Sequence, residues 1–380
     1  MRIFVSGMIA ADPEQGGATW AVLQYVLGLR ELGHDVFFVE PIAPGSIRPA
    51  GAPLESSVNA RYFQDVVARF GLLDRAALVS QDTRESVGLT YSELHRAARD
   101  AELLINISGM LRDPSLREAI PTRVYLDLDP AFNQLWHAVE GIDVGLDGHT
   151  HYVTVGNGIG RAGCDVPTCG RTWITTLQPI VLSEWTMSNG DSGTPWTTVG
   201  NWRGYGSIRH EGRHYGQKAH SLRRYLSVPR LTSERLLLAL AIHPGETGDL
   251  SALKENGWEL VDPAAVAATP DDYRAFIHAS KAEFGIAKSG YVVSRSGWFS
   301  DRSVCYLASG RPVLAEDTGL VGTLPVGCGL VTFSTLDEAI AGIEAISGNY
   351  DTHCTAARAL AESCFDSKRV LTRLVDEVSH

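Results

Sequence analysis

Residues 2–39 confine this chain to a narrow set of folds. Arg2-Ile-Phe-Val-Ser6 reads as a buried strand. The turn Glu14-Gln-Gly-Gly17 leads into residues 18–32, whose apolar positions recur at helical spacing. Gly33 is a natural helix stop, and Asp35-Val-Phe-Phe-Val39 is a second strand. Strand, helix, strand in that order is a βαβ unit, which demands a parallel sheet with a right-handed crossover. Such a sheet needs helices on both faces. The fold class expected is therefore α/β, doubly wound.

The pattern continues and then restarts. Further strands are expected at residues 102–107, 122–127 and 152–155, and helices at 59–70 and 92–99. Ser188-Asn-Gly-Asp-Ser-Gly-Thr-Pro195 is polar and rich in turn residues, as a linker would be. After it come a strand at 196–201 and a fully apolar one at 235–242. Thr269-Pro-Asp-Asp272 has the cap, proline and early acids of a helix start. Thr335 and Glu338 have capping-box spacing, and residues 351–378 read as one or two helices. At 380 residues the chain has room for two cores. We expect a first domain over 1–192 and a second over 193–350. Helices over 351–380 would then pack back toward the first.

The segment from Ser296 to Gly319 is the most specific. It reads as a loop, a helix opened by Ser300, Asp301 and Arg302, a stop at Gly310, and a short strand beginning Pro312-Val-Leu. The loop Glu316-Asp317-Thr318-Gly319 follows at the strand's carboxyl end, the edge where open α/β sheets bind ligands. A helix N-terminus beside an Arg suits an anion.

Ala308-Ser-Gly-Arg-Pro-Val313 resembles the Ala-x-Gly-x-Pro-Val ending of the donor-binding segment in GT-B glycosyltransferases. An Arg opening the helix, as Arg302 does, is similar to bacterial enzymes related to the CgeB-like group. The resemblance implies two Rossmann-like domains facing a cleft, the first binding an acceptor and the second a nucleotide-sugar. It implies donor contacts from Ser300, Asp301, Arg302, Glu316, Asp317, Thr318 and Gly319. Arg203, in the Gly-rich loop after the 196–201 strand, and Lys288 would face the diphosphate. Gly16 and Gly17 would face the cleft on the acceptor side. Retaining members carry two Glu residues, the second holding the nucleotide ribose, where this chain has Gly297 and Cys305.

Other residues invite catalytic roles. Asp127 and Asp129 lie at the end of a first-half strand, and either could take a proton from an acceptor hydroxyl. The alternative for Asp129 is a helix cap ahead of Pro130. His149 and His151 titrate near neutrality and could serve as base or acceptor ligand; structural roles are the alternative. With Cys164 and Cys169 they suggest zinc, but H-x-H followed by C-x4-C is no standard finger, and no metal site is expected. The basic stretch from Arg209 to Lys218 could reach the donor phosphates or the acceptor; a solvated loop before a helix is the default reading.

Composition narrows the class. A net charge of −11 argues against an extended nucleic-acid surface. Six scattered cysteines form no disulfide framework. No apolar run approaches the roughly 18 residues that span a bilayer, and the start is too short and strand-like for a signal peptide, so a cytoplasmic location is expected. Only five of the 33 basic residues are Lys. The expected activity is metal-independent transfer of a hexosyl or related group to a small-molecule or other glycosyl acceptor, with no cofactor. The alternatives are a nucleotide-sugar epimerase and a non-catalytic nucleotide-sugar-binding protein.

Overall fold

The computed structural model describes residues 1–188 and 193–379. Residues 189–192, within the expected linker and at the expected domain boundary, lie outside the described residues, as does His380.

The first half builds one eight-stranded sheet. Its strands are β1 (Arg2–Ser6), β2 (Asp35–Ile42), β3 (Ala76–Ser80), β4 (Ser86–Gly88), β5 (Leu103–Ile107), β6 (Thr122–Asp127), β7 (His151–Thr154) and β8 (Trp173–Thr175). The order is β4-β3-β2-β1-β5-β6-β7-β8, parallel except for the β3–β4 pair. The second half builds a parallel six-stranded sheet, and a hairpin lies apart from it. Its strands are β9 (Trp196–Asn201), the hairpin β10 (Ile208–His210) and β11 (Arg213–Tyr215), then β12 (Leu236–Ala241), β13 (Glu259–Val261), β14 (Glu283–Gly285), β15 (Val313–Glu316) and β16 (Leu330–Phe333). The six-stranded order is β13-β12-β9-β14-β15-β16.

In each sheet the chain reverses its direction of winding beside the first strand. β1 lies between β2 and β5, and β9 between β12 and β14. Ligand clefts open outside the carboxyl ends at such points. The buried strands follow from composition: β12 is an unbroken apolar run, and β5 is apolar but for Asn106.

The helix Gly16–Glu31 joins the halves. Its start is two residues earlier than the sequence pattern predicts, because Thr19 N donates to Gln15 O at 2.9 Å and winds the glycines into the first turn. Gly16 N donates across to Ala267 O at 2.9 Å, and a Cβ on Gly16 would lie 2.2 Å from Thr269 O. Only glycine fits that approach. Trp20 is buried, and its Nε1 donates to Pro270 O at 2.8 Å. Tyr273 and Ile277 of helix Pro270–His278, Val304 and Leu307 of helix Asp301–Ala308, and Leu371 and Leu374 of helix Ser367–Val378 share its core. One apolar core thus runs through both halves, and truncating a side chain such as Trp20 should cost about 3–5 kcal/mol.

Residues 351–378 resolve into two helices, Tyr350–Leu360 and Ser367–Val378, linked by a π-helical turn at Ala361–Phe365. Helix Ser367–Val378 lies on helix Gly16–Glu31 of the first half. A Cβ on Gly28 would sit 2.6 Å from Leu371, so the absence of a side chain sets how closely these helices pack. Ser367 N donates to Ile180 O at 2.9 Å. The stretch expected as a loop from Arg209 is instead the β10–β11 hairpin, turned through Glu211 and Gly212, both with positive φ.

Candidate functional site

The carboxyl ends of the two sheets enclose a cavity of about 500 Å³. The first half contributes Gly16, Gly17 and Ala18; the second contributes Val199–Asn201, Lys288, Asp301 and Arg302. Two helix N-termini therefore open on one space. Gln15, the N-cap residue of helix Gly16–Glu31, makes no side-chain cap, and the amides of Gly17 and Ala18 have no backbone acceptor among the described residues. Ser300 occupies the N-cap position of helix Asp301–Ala308 but does not cap it; its hydroxyl donates to Asp301 Oδ1 at 3.3 Å. Asp301 is held above the usual carboxylate range by burial, although Arg302 and the first-turn amides pull the other way. Gly310, with φ of +70°, ends this helix before β15.

Arg302 is anchored before any ligand arrives. Its Nε donates to Glu283 Oε1 at 2.6 Å and its Nη1 to Val199 O at 3.0 Å. Glu283 lies wholly buried on β14. Lys218 stands behind Gly200, its Nζ donating to Ile286 O at 2.9 Å. Burial, and then the charge of Arg302, pushes its ammonium well below the usual lysine range. Among the described residues it has no salt-bridge partner, an expensive state for a buried lysine, and it stands behind the cavity wall rather than in it.

Lys288 is held at the cavity wall by Asp129 of the first half, 3.1 Å from Oδ2. Tyr205 and Tyr291 both donate to the same carboxylate and both accept from Lys288. Asp129 and Lys288 are thus brought together.

The loop after β15 is differently placed from the expectation. Glu316 is buried, accepting from Ala287 N at 3.1 Å and pairing with Arg224. Asp317 Oδ1 accepts from the amides of Gly319 and Leu320 at 2.9 and 2.8 Å, and Thr318 donates to Trp298 O at 2.5 Å. These residues satisfy one another and the loop rather than lining the main cavity, which corrects the expectation of free hydroxyl acceptors there. Arg203 turns outward to Glu246 at 2.6 Å and also stays off the cavity wall.

Asp127 is corrected on the same grounds. It is fully buried and accepts from Asp129 N, Asn133, Gln134 and Thr154 at 3.0, 2.7, 2.7 and 2.8 Å. Its carboxylate is used up in shaping the turn that presents Asp129. His149 shares hydrogen bonds with Asn106 Nδ2 at 2.9 Å and Leu146 O at 3.1 Å, and packs edge-on against Tyr125. Burial lowers its pKa to about 4. His151 contacts Thr150 at 2.9 Å. Neither imidazole lines the cavity. Among the described residues no group of three or more His, Cys, Asp or Glu is placed to hold a metal ion.

Gly297 and Cys305 have physical reasons for not being Glu. A Cβ on Gly297 would lie 2.7 Å from Gly158 N, where the halves touch. Cys305 is 3% exposed, in the core. Glu283, Tyr205 and Tyr291 escaped the sequence reading, and Lys218 entered it only as the last residue of the basic stretch from Arg209. One signal was available: of five lysines, Lys218 and Lys281 are buried and Lys288 is largely covered, in a chain that otherwise uses Arg.

No protein-family model matches the chain, and no curated protein matches it in sequence. Solved structures do match along the whole length. The crystal structure of Anabaena HepE in complex with UDP-glucose has a TM-score of 0.58 at 11% identity, covering 100% of this chain and 99% of its own. An alpha-glucosyltransferase in complex with UDP and a 13-mer DNA has a TM-score of 0.61 at 11% identity, with 100% and 99% coverage. Sucrose-phosphate synthase from Thermosynechococcus elongatus has a TM-score of 0.55 at 10% identity, with 100% and 98% coverage. The fold is accordingly GT-B-like, two Rossmann-like units with a cleft between them.

Proposed function

We propose that this protein is a glycosyltransferase that moves a hexosyl or related group from a nucleotide-sugar to an acceptor hydroxyl or similar nucleophile. The observation that carries the reading is the meeting of two helix N-termini with Arg302 and Lys288 around one cavity. Such a site suits a diphosphate, whose negative charge grows as the sugar departs. The HepE and alpha-glucosyltransferase structures of this fold hold UDP or UDP-glucose, which supports the same donor class here.

Arg302 and Lys288 supply the cationic field that a divalent ion would otherwise provide, so the proposed transfer is metal-independent and needs no cofactor. We assign the ribose hydroxyls to Asp301, which lies one helical turn before Cys305 and so shares its face. Gly17 and Ala18 present their amides to the diphosphate from the first half. The acceptor is a small molecule or glycan, since a net charge of −11 disfavours an extended nucleic-acid surface. The setting proposed is the cytoplasm, and the opening Arg of the helix supports a place near the CgeB-like group.

The test is a thermal-shift screen with UDP, GDP, dTDP, ADP, CMP and their sugar conjugates. Selective stabilisation by one nucleotide is expected, because a ligand of the native state alone raises the midpoint. Absence of any shift overturns the donor assignment. Incubating the stabilising sugar conjugate without acceptor should leave its sugar unisomerised; isomerised product would replace transfer with epimerisation.

A further inference from the structure

Lys288 stands between a carboxylate and the cavity. On one side is Asp129, with Nζ at 3.4 Å from Oδ1 and 3.1 Å from Oδ2. On the other is the cavity that it lines. The rings of Phe132, Tyr205 and Tyr291 surround the ammonium at 5.2, 4.2 and 5.2 Å. These aromatic faces favour a cation without fixing its direction.

We infer that Asp129 is a positioning residue that holds Lys288 while the cavity is empty and yields it to the donor's diphosphate. The inference rests on the donor reading above. Lys is suited to such an exchange, being a compact charge on a flexible four-carbon stem. The pair is about a quarter exposed on each side, so the attraction that must be broken is partly screened.

Asp129 is not stranded by the exchange. Tyr205 donates to Oδ2 and Tyr291 to Oδ1, so each oxygen keeps a hydrogen bond after the ammonium leaves. The carboxylate and the ligand therefore compete for one cation. Asp129 belongs to the first half and Lys288 to the second, so donor binding also removes a charge contact between the halves.

Competition predicts a result of unusual sign. Removing the charge at Asp129 should tighten binding of a ligand that needs Lys288, because no contact must be surrendered first. Calorimetric titration of the full chain with UDP and with inorganic pyrophosphate reads this directly. Asp129→Asn should bind both probes more tightly, by about threefold or more, and Lys288→Met more weakly, by about tenfold. The double variant should bind like Lys288→Met alone. Asp129→Ser provides the same reading should the Asn variant fold poorly. Equal or weaker binding by both folded Asp129 variants would overturn the exchange while leaving the donor site standing. Unchanged binding by Lys288→Met would overturn it as well. Failure of wild type to bind either probe would remove the donor reading and this inference together.

Discussion

Arg302 donates to Glu283 at 2.6 Å, and the carboxylate it meets is wholly buried. The cation that would face a diphosphate is thus set in place by the core of the second sheet. Arg302→Ala would leave a buried charge without its partner, which costs about 3–5 kcal/mol. Its urea midpoint should fall sharply. Glu283→Gln keeps a neutral acceptor on Arg302, so it should fall less. Equal midpoints for the two variants would contradict the pairing.

Lys218 should behave in the opposite way. It lies buried with a single carbonyl acceptor in reach, and burial disfavours its charged form, so a lysine is kept there at the expense of stability. Lys218→Met is expected to unfold at the same or a higher temperature while binding UDP at least about tenfold more weakly. A variant that loses stability and keeps its affinity would show the lysine to be structural.

Gly16→Ala tests the seam between the halves. The new methyl would meet backbone atoms of Thr269, 2.2 Å away at the carbonyl oxygen, and backbone cannot swing aside as a side chain can. A loss of about 1–3 kcal/mol is expected in chemical denaturation. Gly45→Ala, where nothing lies within 4 Å of the added atom, is the control and should change little.

His149 gives the fold a pH dependence. The unfolded imidazole takes its proton near 6.5, and the folded one only at about 4. Between those values the unfolded state binds more protons. Stability is therefore fully present above about 6.5 and declines as pH falls toward 4, by at most about 3 kcal/mol from this residue. Unfolding free energies of wild type and His149→Gln, compared from pH 4 to 7, should show the variant with the shallower acid slope. Identical slopes would remove His149 as the cause.

The parts of this fold legible in the sequence are those written in neighbouring residues. Thr269 and Asp272 form a capping box, as do Thr335 and Glu338, and both spacings are visible in the chain. β1, β6 and β9 announce themselves by composition. Three-residue strands such as β4, β8 and β14 carry too few positions for a period to show. The candidate site was half legible. Arg302, Asp301, Lys288 and the Gly16–Gly17 pair do meet at one cavity. What Lys288 and Arg302 touch was hidden, because Asp129 lies 159 residues from Lys288 and Glu283 sits inside a strand. The loop at Glu316–Gly319 misled because local spacing reveals that polar groups are present but not that they bond one another.

The helix Ser367–Val378 closes over the helix Gly16–Glu31, with Gly28 against Leu371. For a nascent chain this orders events. When only residues 1–188 have been made, the groove on the first helix has no cover, and its apolar side faces water. The second half must be synthesised before that surface can be shielded. A fragment cut between the sheets should therefore be sticky rather than an independent unit, and the two sheets should mature as a single cooperative body.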